Sequence, residues 1–318
     1  MLSRPGLPSF DYVRVSDRNE ALLLLKEHGE AARLLMGGTD LFVRMRDGLI
    51  CPRTVVDVKH LPVMRSIAYD EQAGLTVGAA ATMNQVACHP DVQGHYPLLA
   101  EAAESVASYQ LRNRATLGGN LCNGSPAADT APAALVLGGR IVLYGPGPST
   151  GPSVVRREDQ GQRTGSEQSG EREVPVDGFF LGPGQTAIEA GELMTAIRFP
   201  IPPADAVGRY LKLGRNKAGD LAIAGVAVYG FPDSAAASGY RFRIGLASVA
   251  PVPLRAWDAE KVLAENAPGE ETFALAAQKT LEAASPIDDV RASAAYREAM
   301  VRNLTLRGLR DVWARLGV

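Results

Sequence analysis

An α+β fold in two domains is predicted by three observations. The chain has 318 residues, and at about 150 residues per domain that suggests two. Pro202 and Pro203 interrupt the regular pattern and mark the domain boundary. Before them, strand and helix patterns mix around two glycine-rich turns. After them, three strand-like runs come first and two or three helices follow, the arrangement of an antiparallel sheet with segregated helices.

The elements follow in order. Ser16 or Asp17 can cap a helix over NEALLLLKEHGE, which stops at Gly29. The apolar stretch Ala32 to Met36 reads as a buried strand running into Gly37 and Gly38. Thr39 or Asp40 can cap a second helix, LFVRMRDG, closed by Gly48. The β-branched segment Thr54 to Val58 is another strand. Ser66 to Ala80 has the pattern of a hairpin turning at Gln72 to Gly74, and Tyr96 to Ser105 that of an apolar-faced helix. SPAADTAPAALVLGG reads as a short helix and RIVLYG as a strand. Residues 146–172 are rich in Gly, Ser, Pro, Gln and charge, so a long exposed loop is expected there. Strand pattern resumes at EVPVDGFF and LMTAIRFPIP. The C-terminal part has strand runs RYLKLGR, LAIAGVAVYGF and YRFRIGLASVA. Helices are expected over Ala256 to Glu265, Glu271 to Ala284 and Ser293 to Leu316.

Composition excludes several classes. The formal net charge is -2, with no basic excess to hold a phosphate polymer, so nucleic acid is not expected as a partner. The three cysteines, Cys51, Cys88 and Cys122, cannot all pair and form no CxxC, and the four histidines form no ligand-spaced group. No metal site is therefore expected in this chain. No window approaches 18 uninterrupted apolar residues, and MLSRPGLPSFDYVRV lacks a cleavable apolar segment. A cytoplasmic protein without a membrane span is expected.

Two segments can carry chemistry: LLMGGTDLF (Leu34 to Phe42) and ATLGGNLCNGSPAAD (Ala115 to Asp129). A Gly-Gly pair at a strand-to-helix turn removes two Cβ atoms, so backbone N–H groups can approach a ligand. A helix starting there favours a phosphate or pyrophosphate. Thr39 and Thr116 add hydroxyls, and Asn120 both donates and accepts. Asp129 either binds sugar hydroxyls or caps a helix. Neither GxGxxG nor GxxxxGK[ST] occurs. The residues alone therefore point to a phosphate-bearing cofactor of unspecified type.

MGGTDL (36–41) and RNRATLGGNLCNGSPAADTAP (112–132) resemble the FAD-binding subunits of the xanthine dehydrogenase and carbon monoxide dehydrogenase family. So do FFLGPGQTAIEAGELMTAIRFP (179–200), YLKLGRNKAGDLAIAGVAV (210–228) and AYREAMVRNLTLRGL (295–309). The resemblance covers nearly the whole chain. It implies a two-part FAD-binding domain of the vanillyl-alcohol oxidase type over 1–203, with subdomains of about 1–59 and 60–203, and a C-terminal α+β domain over 208–318 built on a three-stranded antiparallel sheet. By position, Leu35, Met36, Gly37, Gly38, Thr39, Asp40 and Leu41, with Thr116, Gly118, Gly119 and Asn120, would hold the FAD pyrophosphate. Asn123 and Asp129 would lie along the ribityl or adenine side, and Lys212, Asp220 and Leu221 near the flavin ring. Read alone, Lys212 alternates outward between Leu211 and Leu213 as a solvated surface charge. Met36 stands where the family has a small residue, so the first turn is expected to pack differently. Cys122 runs directly into NGSPAAD, without the extra cysteines of the cluster-bearing 4-hydroxybenzoyl-CoA reductase form.

The resemblance further implies no catalytic side chain, since the flavin is itself the redox group. Partner chains would be a small 2Fe–2S subunit and a large subunit carrying the molybdenum cofactor, in a dimer of heterotrimers. Electrons would end on NAD, oxygen or a quinone. The alternative is a self-sufficient flavin oxidoreductase.

Overall fold

The computed structural model describes residues 6–146, 169–216 and 219–317. The chain opens with β1 (Asp11–Arg14), α1 (Arg18–His28), β2 (Ala32–Leu35), α2 (Leu41–Arg46), β3 (Thr54–Asp57) and α3 (Pro62–Arg65). Its strands form a parallel sheet in the order β1-β3-β2. Asp17 caps α1 by accepting from the Glu20 N–H, and Gly29 ends the helix with φ +51°. Asp40 precedes α2 but forms no side-chain cap.

A second layer follows: β4 (Ile67–Asp70), β5 (Gly74–Gly78), α4 (Met83–Cys88), α5 (Pro90–His95), α6 (Pro97–Glu104), α7 (Tyr109–Arg112), α8 (Leu117–Cys122) and α9 (Thr130–Val136). It closes with β6 (Arg140–Gly145), β7 (Gly170–Pro175), the small pair β8 (Phe180–Gly182) and β9 (Gln185–Thr186), and β10 (Leu193–Phe199). The antiparallel sheet runs β4-β5-β10-β6-β7. Thr82 and Gln85 form a reciprocal capping box on α4. The loop expected over 146–172 lies, for residues 147–168, outside the described residues, and its end, Gly170 onward, belongs to β7.

The C-terminal part comprises β11 (Val207–Leu213), β12 (Ala224–Pro232), β13 (Tyr240–Ala247), β14 (Leu254–Arg255), α10 (Trp257–Glu265), α11 (Glu270–Ala283) and α12 (Ala294–Arg315). The three expected strands pair antiparallel, and the two-residue β14 extends them to a four-stranded sheet. Both faces of this sheet are covered. Ala224, Val226 and Val228 of β12 face the helical side with Val301, Leu309 and Val312. Ala227, Tyr229 and Phe231, one register apart, join the core of the preceding domain. That explains why β12 reads as a continuous apolar run. The docking is close: a Cβ on Gly245 of β13 would lie 2.6 Å from the Pro132 carbonyl oxygen of α9.

The cysteines differ sharply. Cys51 and Cys88 are exposed, whereas Cys122 is half-buried, its Sγ 3.5 Å from Met194 Sδ, and desolvation of the sulfur pushes its thiol up to about 12. At pH about 8 its thiolate is scarce, and the thiolate is the nucleophile. Iodoacetamide should therefore label Cys51 and Cys88 of the native isolated chain and leave Cys122 unmodified until the chain is denatured, as counted by intact mass. Labelling of Cys122 at the rate of the other two would contradict its burial.

Candidate functional site

The site begins at the carboxyl ends of the parallel strands, where open α/β sheets place their ligands. β2 ends at Leu35 and the chain turns through Gly37 and Gly38, the latter at φ +77°. A Cβ on Gly37 would sit 2.2 Å from the Arg114 carbonyl oxygen, so only glycine lets the first turn press against the segment leading into α8. Among the described residues, the backbone N–H groups of Gly37, Gly38, Thr39 and Asp40 have no protein acceptor. Four consecutive unspent donors can cradle an anion. Met36 differs from the small residue of the family pattern, yet packs on the main core with its sulfur 3.9 Å from Thr116 Oγ1.

The second turn is built differently. Thr116 caps α8 by accepting from the Gly119 N–H at 3.1 Å. Leu117 donates to Ala81, Gly118 to Ala79, and Asn120 to the Thr116 carbonyl. Its amides are thus satisfied inside the protein. Gly118 is there because a Cβ would meet Ala79 at 2.6 Å. What this turn still offers a ligand is side-chain chemistry. Asn120 Oδ1 accepts from Thr130 Oγ1 at 2.6 Å, leaving its amide NH2 without a partner among the described residues. Asn123 Nδ2 reaches Asp40 Oδ1 at 3.4 Å, joining the two turns.

A cleft of about 150 Å³ opens beside them, lined by Met36, Lys59, Arg65, Thr82, Arg114 and Thr116 among others. Lys59 is held by Asp57, the last residue of β3, whose carboxylate also accepts from Tyr12. Burial acts to raise the Asp57 pKa, but the bonds from Lys59 and Tyr12 outweigh it and hold the carboxyl below its ordinary range. Neither Arg65 nor Arg114 has an acidic partner among the described residues. Unspent amides beside unpaired guanidinium groups fit a diphosphate.

The remaining candidates gather near the C-terminal sheet. Asp129 precedes α9 but caps nothing; its side chain forms no cap bond. It is 4% exposed, accepting from Tyr210 OH at 2.8 Å and Lys212 Nζ at 2.7 Å. The reading of Lys212 as a solvated charge is likewise corrected. Its side chain is 14% exposed and also donates to the Ser105 carbonyl, because α6 packs on β11, and α9 on the neighbouring β12 and β13, where a lone sheet would meet water. Burial pushes the Asp129 carboxyl up, countered by Lys212 and Tyr210, and burial and Asp129 push the Tyr210 phenol up.

Asp220 accepts from the Arg215 N–H and guanidinium, which pull its carboxyl down to about 2. Leu221 is 57% exposed. Gly219, at φ +99°, packs on Ser108 at the start of α7. Four residues of α7 separate Ser108 from Asn113 and Arg114 at the cleft. The loop of Asp220 and the glycine turns thus approach one another from opposite ends of α7. Asp57, Lys59 and Tyr210 escaped the sequence reading. Only their positions at or just after a strand end, or within YLKLGR, hinted at them.

A family profile described as the FAD binding domain in molybdopterin dehydrogenase matches residues 8–150, and one described as the CO dehydrogenase flavoprotein C-terminal domain matches residues 209–312. The carbon monoxide dehydrogenase medium chain of Hydrogenophaga pseudoflava is 34% identical over 97% of this chain and 98% of its own length. The chain belongs to the family of FAD-binding medium subunits of carbon monoxide and xanthine dehydrogenases. Within that family, the xanthine dehydrogenase FAD-binding subunit of Escherichia coli is 31% identical over 96% of this chain and 97% of its own. The fold agrees throughout. A solved carbon monoxide dehydrogenase from H. pseudoflava, lacking the Mo-pyranopterin moiety of its cofactor, contains a chain that superposes with a TM-score of 0.86. The alignment covers 98% of this chain and 99% of that one at 34% identity. A chain of the quinoline 2-oxidoreductase of Pseudomonas putida superposes at 0.82 with 25% identity, over 97% and 98%. The expected fold is therefore the observed one: a two-domain FAD-binding flavoprotein subunit of an oxidoreductase. Among the described residues, no helix is long and apolar enough to cross a membrane, and no group of three or more His, Cys, Asp or Glu is placed to hold a metal.

Proposed function

We propose that this FAD subunit of the molybdenum hydroxylase family is an electron relay. It would serve a cytoplasmic complex with a small 2Fe–2S subunit and a large molybdenum subunit, arranged as a dimer of heterotrimers, receiving electrons from the 2Fe–2S clusters and delivering them to NAD, oxygen or a quinone. The observation that carries the reading is the first glycine turn, whose four amides have no acceptor among the described residues, next to a cleft lined by Met36 of that turn and by Arg65 and Arg114, which have no acidic partner there. FAD, when bound, supplies the redox chemistry through its isoalloxazine.

The chain's own residues supply binding and orientation. Leu35 to Leu41 would cradle the diphosphate through main-chain N–H groups. Thr116, Asn120 and Asn123 would contribute hydroxyl and amide contacts, and Gly118 and Gly119 would let the second turn pack closely enough on the protein to present them. Asp129 has both oxygens engaged by Tyr210 and Lys212, so it would act by holding Lys212. Lys212, Asp220 and Leu221 would border the flavin ring. The proposed partition is a FAD-binding domain over 1–203 and a C-terminal domain over 208–318.

The test is an absorption spectrum of the chain purified from its host with partners attached. Flavin bands together with iron–sulfur absorbance and co-purifying larger and smaller subunits are expected. Flavin on a lone chain that turns over substrate would favour a self-sufficient enzyme, and absence of flavin would overturn both readings.

A further inference from the structure

A buried carboxylate at the end of β3 has no part in the cradle itself. Asp57 is fully buried and faces three neighbouring residues. It accepts from the Tyr12 hydroxyl, from the Lys59 ammonium and from the Lys59 N–H at 3.1 Å, and His60 Nε2 stands 3.5 Å away. A buried carboxylate is costly unless its bonds are complete. Here they are complete only with Lys59 folded back over the strand end. The side chain that results is a lysine with little freedom, 22% exposed, lining the cleft beside the first glycine turn. An unrestrained surface lysine would lose rotamer entropy on taking up an anion; this one has already lost it.

We propose that Asp57, with Tyr12, is a positioning residue that holds Lys59 at the cleft, so that the site selects a flavin bearing a diphosphate over shorter flavins. The inference rests on the reading of the cleft as the diphosphate subsite. Lys59 shares its charge between Asp57 and the ligand, while Arg65 and Arg114 add cationic groups free of acidic partners among the described residues. The isoalloxazine and ribityl parts, common to FAD, FMN and riboflavin, gain nothing from this cluster. Discrimination therefore scales with the phosphate charge and falls with salt.

The experiment uses the native complex, stripped of flavin and titrated with FAD, FMN and riboflavin while flavin fluorescence is followed. In the unmodified protein the affinity order should be FAD, then FMN, then riboflavin. Lys59→Met should shrink the FAD-to-riboflavin ratio by about ten- to hundredfold, the effect of one hydrogen bond to a charged group, with riboflavin affinity unchanged. Asp57→Asn should do the same in part, and Lys59→Arg should keep the ratio within about threefold. The ionic-strength dependence of FAD affinity should flatten in Lys59→Met.

An unchanged ratio in Lys59→Met would overturn the inference. So would a parallel loss of FAD and riboflavin affinity in Asp57→Asn, the result of a merely structural role. Should Asp57→Asn fail to fold, Lys59→Met at its half-buried site decides alone. An unmodified protein that binds FAD and riboflavin equally would end this inference while leaving the FAD subunit intact, whereas failure to bind any flavin would end the parent reading.

Discussion

Replacing Lys212 by methionine should destabilise the protein by about 3–5 kcal/mol, the cost of breaking a buried ion pair from one side. Asp129 is 4% exposed, and without Lys212 only the Tyr210 hydroxyl, among the described residues, answers its charge. The Ser105 carbonyl at the end of α6 also loses its donor. A methionine fills much of the vacated space, so the loss is electrostatic more than steric. Removing both charges in Lys212→Met/Asp129→Asn should recover most of it, because an amide can still accept from Tyr210. The pH dependence has a definite sign. Burial already raises the Asp129 carboxyl, and loss of the ammonium raises it further. A carboxyl whose folded pKa exceeds its unfolded value contributes stability that is full below the unfolded pKa, about 4, and is lost as pH rises through the folded one. The deficit of Lys212→Met should therefore be largest at alkaline pH and shrink toward pH about 4. Urea unfolding at several pH values checks this. A deficit below about 1 kcal/mol, or one that grows on acidification, would mean that the pair is solvated.

The same pair shows where the chain's own pattern stops being readable. Asp129 and Lys212 lie 83 residues apart. Locally, an Asp before a short helix is a cap, and a Lys between two leucines of a strand points outward. Both readings fail because α6 packs on β11, and α9 on β12 and β13 beside it, over a face that would otherwise meet water. Elements with strong local signals were legible: the Asp17-capped α1, the hairpin of β4 and β5, and the long α12, whose Ser293 cap accepts from the Tyr296 N–H.

β1 was not legible. DYVR is polar and largely exposed, and it is a strand only because β3 pairs with it, Asp11 opposite Thr54. α4 and α5 are short, and a proline at the first position of α5 divides them. At the site, both glycine turns were visible as turns, but their difference was not. Whether the N–H groups of Gly118 and Asn120 are free depends on Ala79 and on the Thr116 carbonyl, and the former sits in another segment. Family resemblance supplied the identity of the cofactor; spacing alone led only to a phosphate.

Gly37→Ala should lower FAD affinity by about hundredfold or more while the chain still folds. The added Cβ would lie 2.2 Å from the Arg114 carbonyl oxygen and 2.9 Å from its carbon. These are backbone atoms and cannot swing aside as a flexible side chain would. The two glycine turns must separate, and overpacking of this kind costs about 1–3 kcal/mol of stability. The functional cost is larger, because the N–H groups of Gly37 to Asp40, unspent among the described residues, follow directly on the displaced backbone. Misaligning one or two bonds to a charged ligand, each worth about 1.5–3 kcal/mol, accounts for the hundredfold. Gly94→Ala is the matched control. It adds the same methyl group within α5, where nothing lies within 4 Å, and alanine is the better helix former by up to about 1 kcal/mol. That variant should bind FAD as the unmodified chain does and melt no earlier. Flavin titration beside thermal unfolding of the flavin-free proteins separates the two effects. If Gly37→Ala binds FAD normally, the close contact between the turns does not shape the cradle, and the diphosphate must be held by the cleft's cations instead.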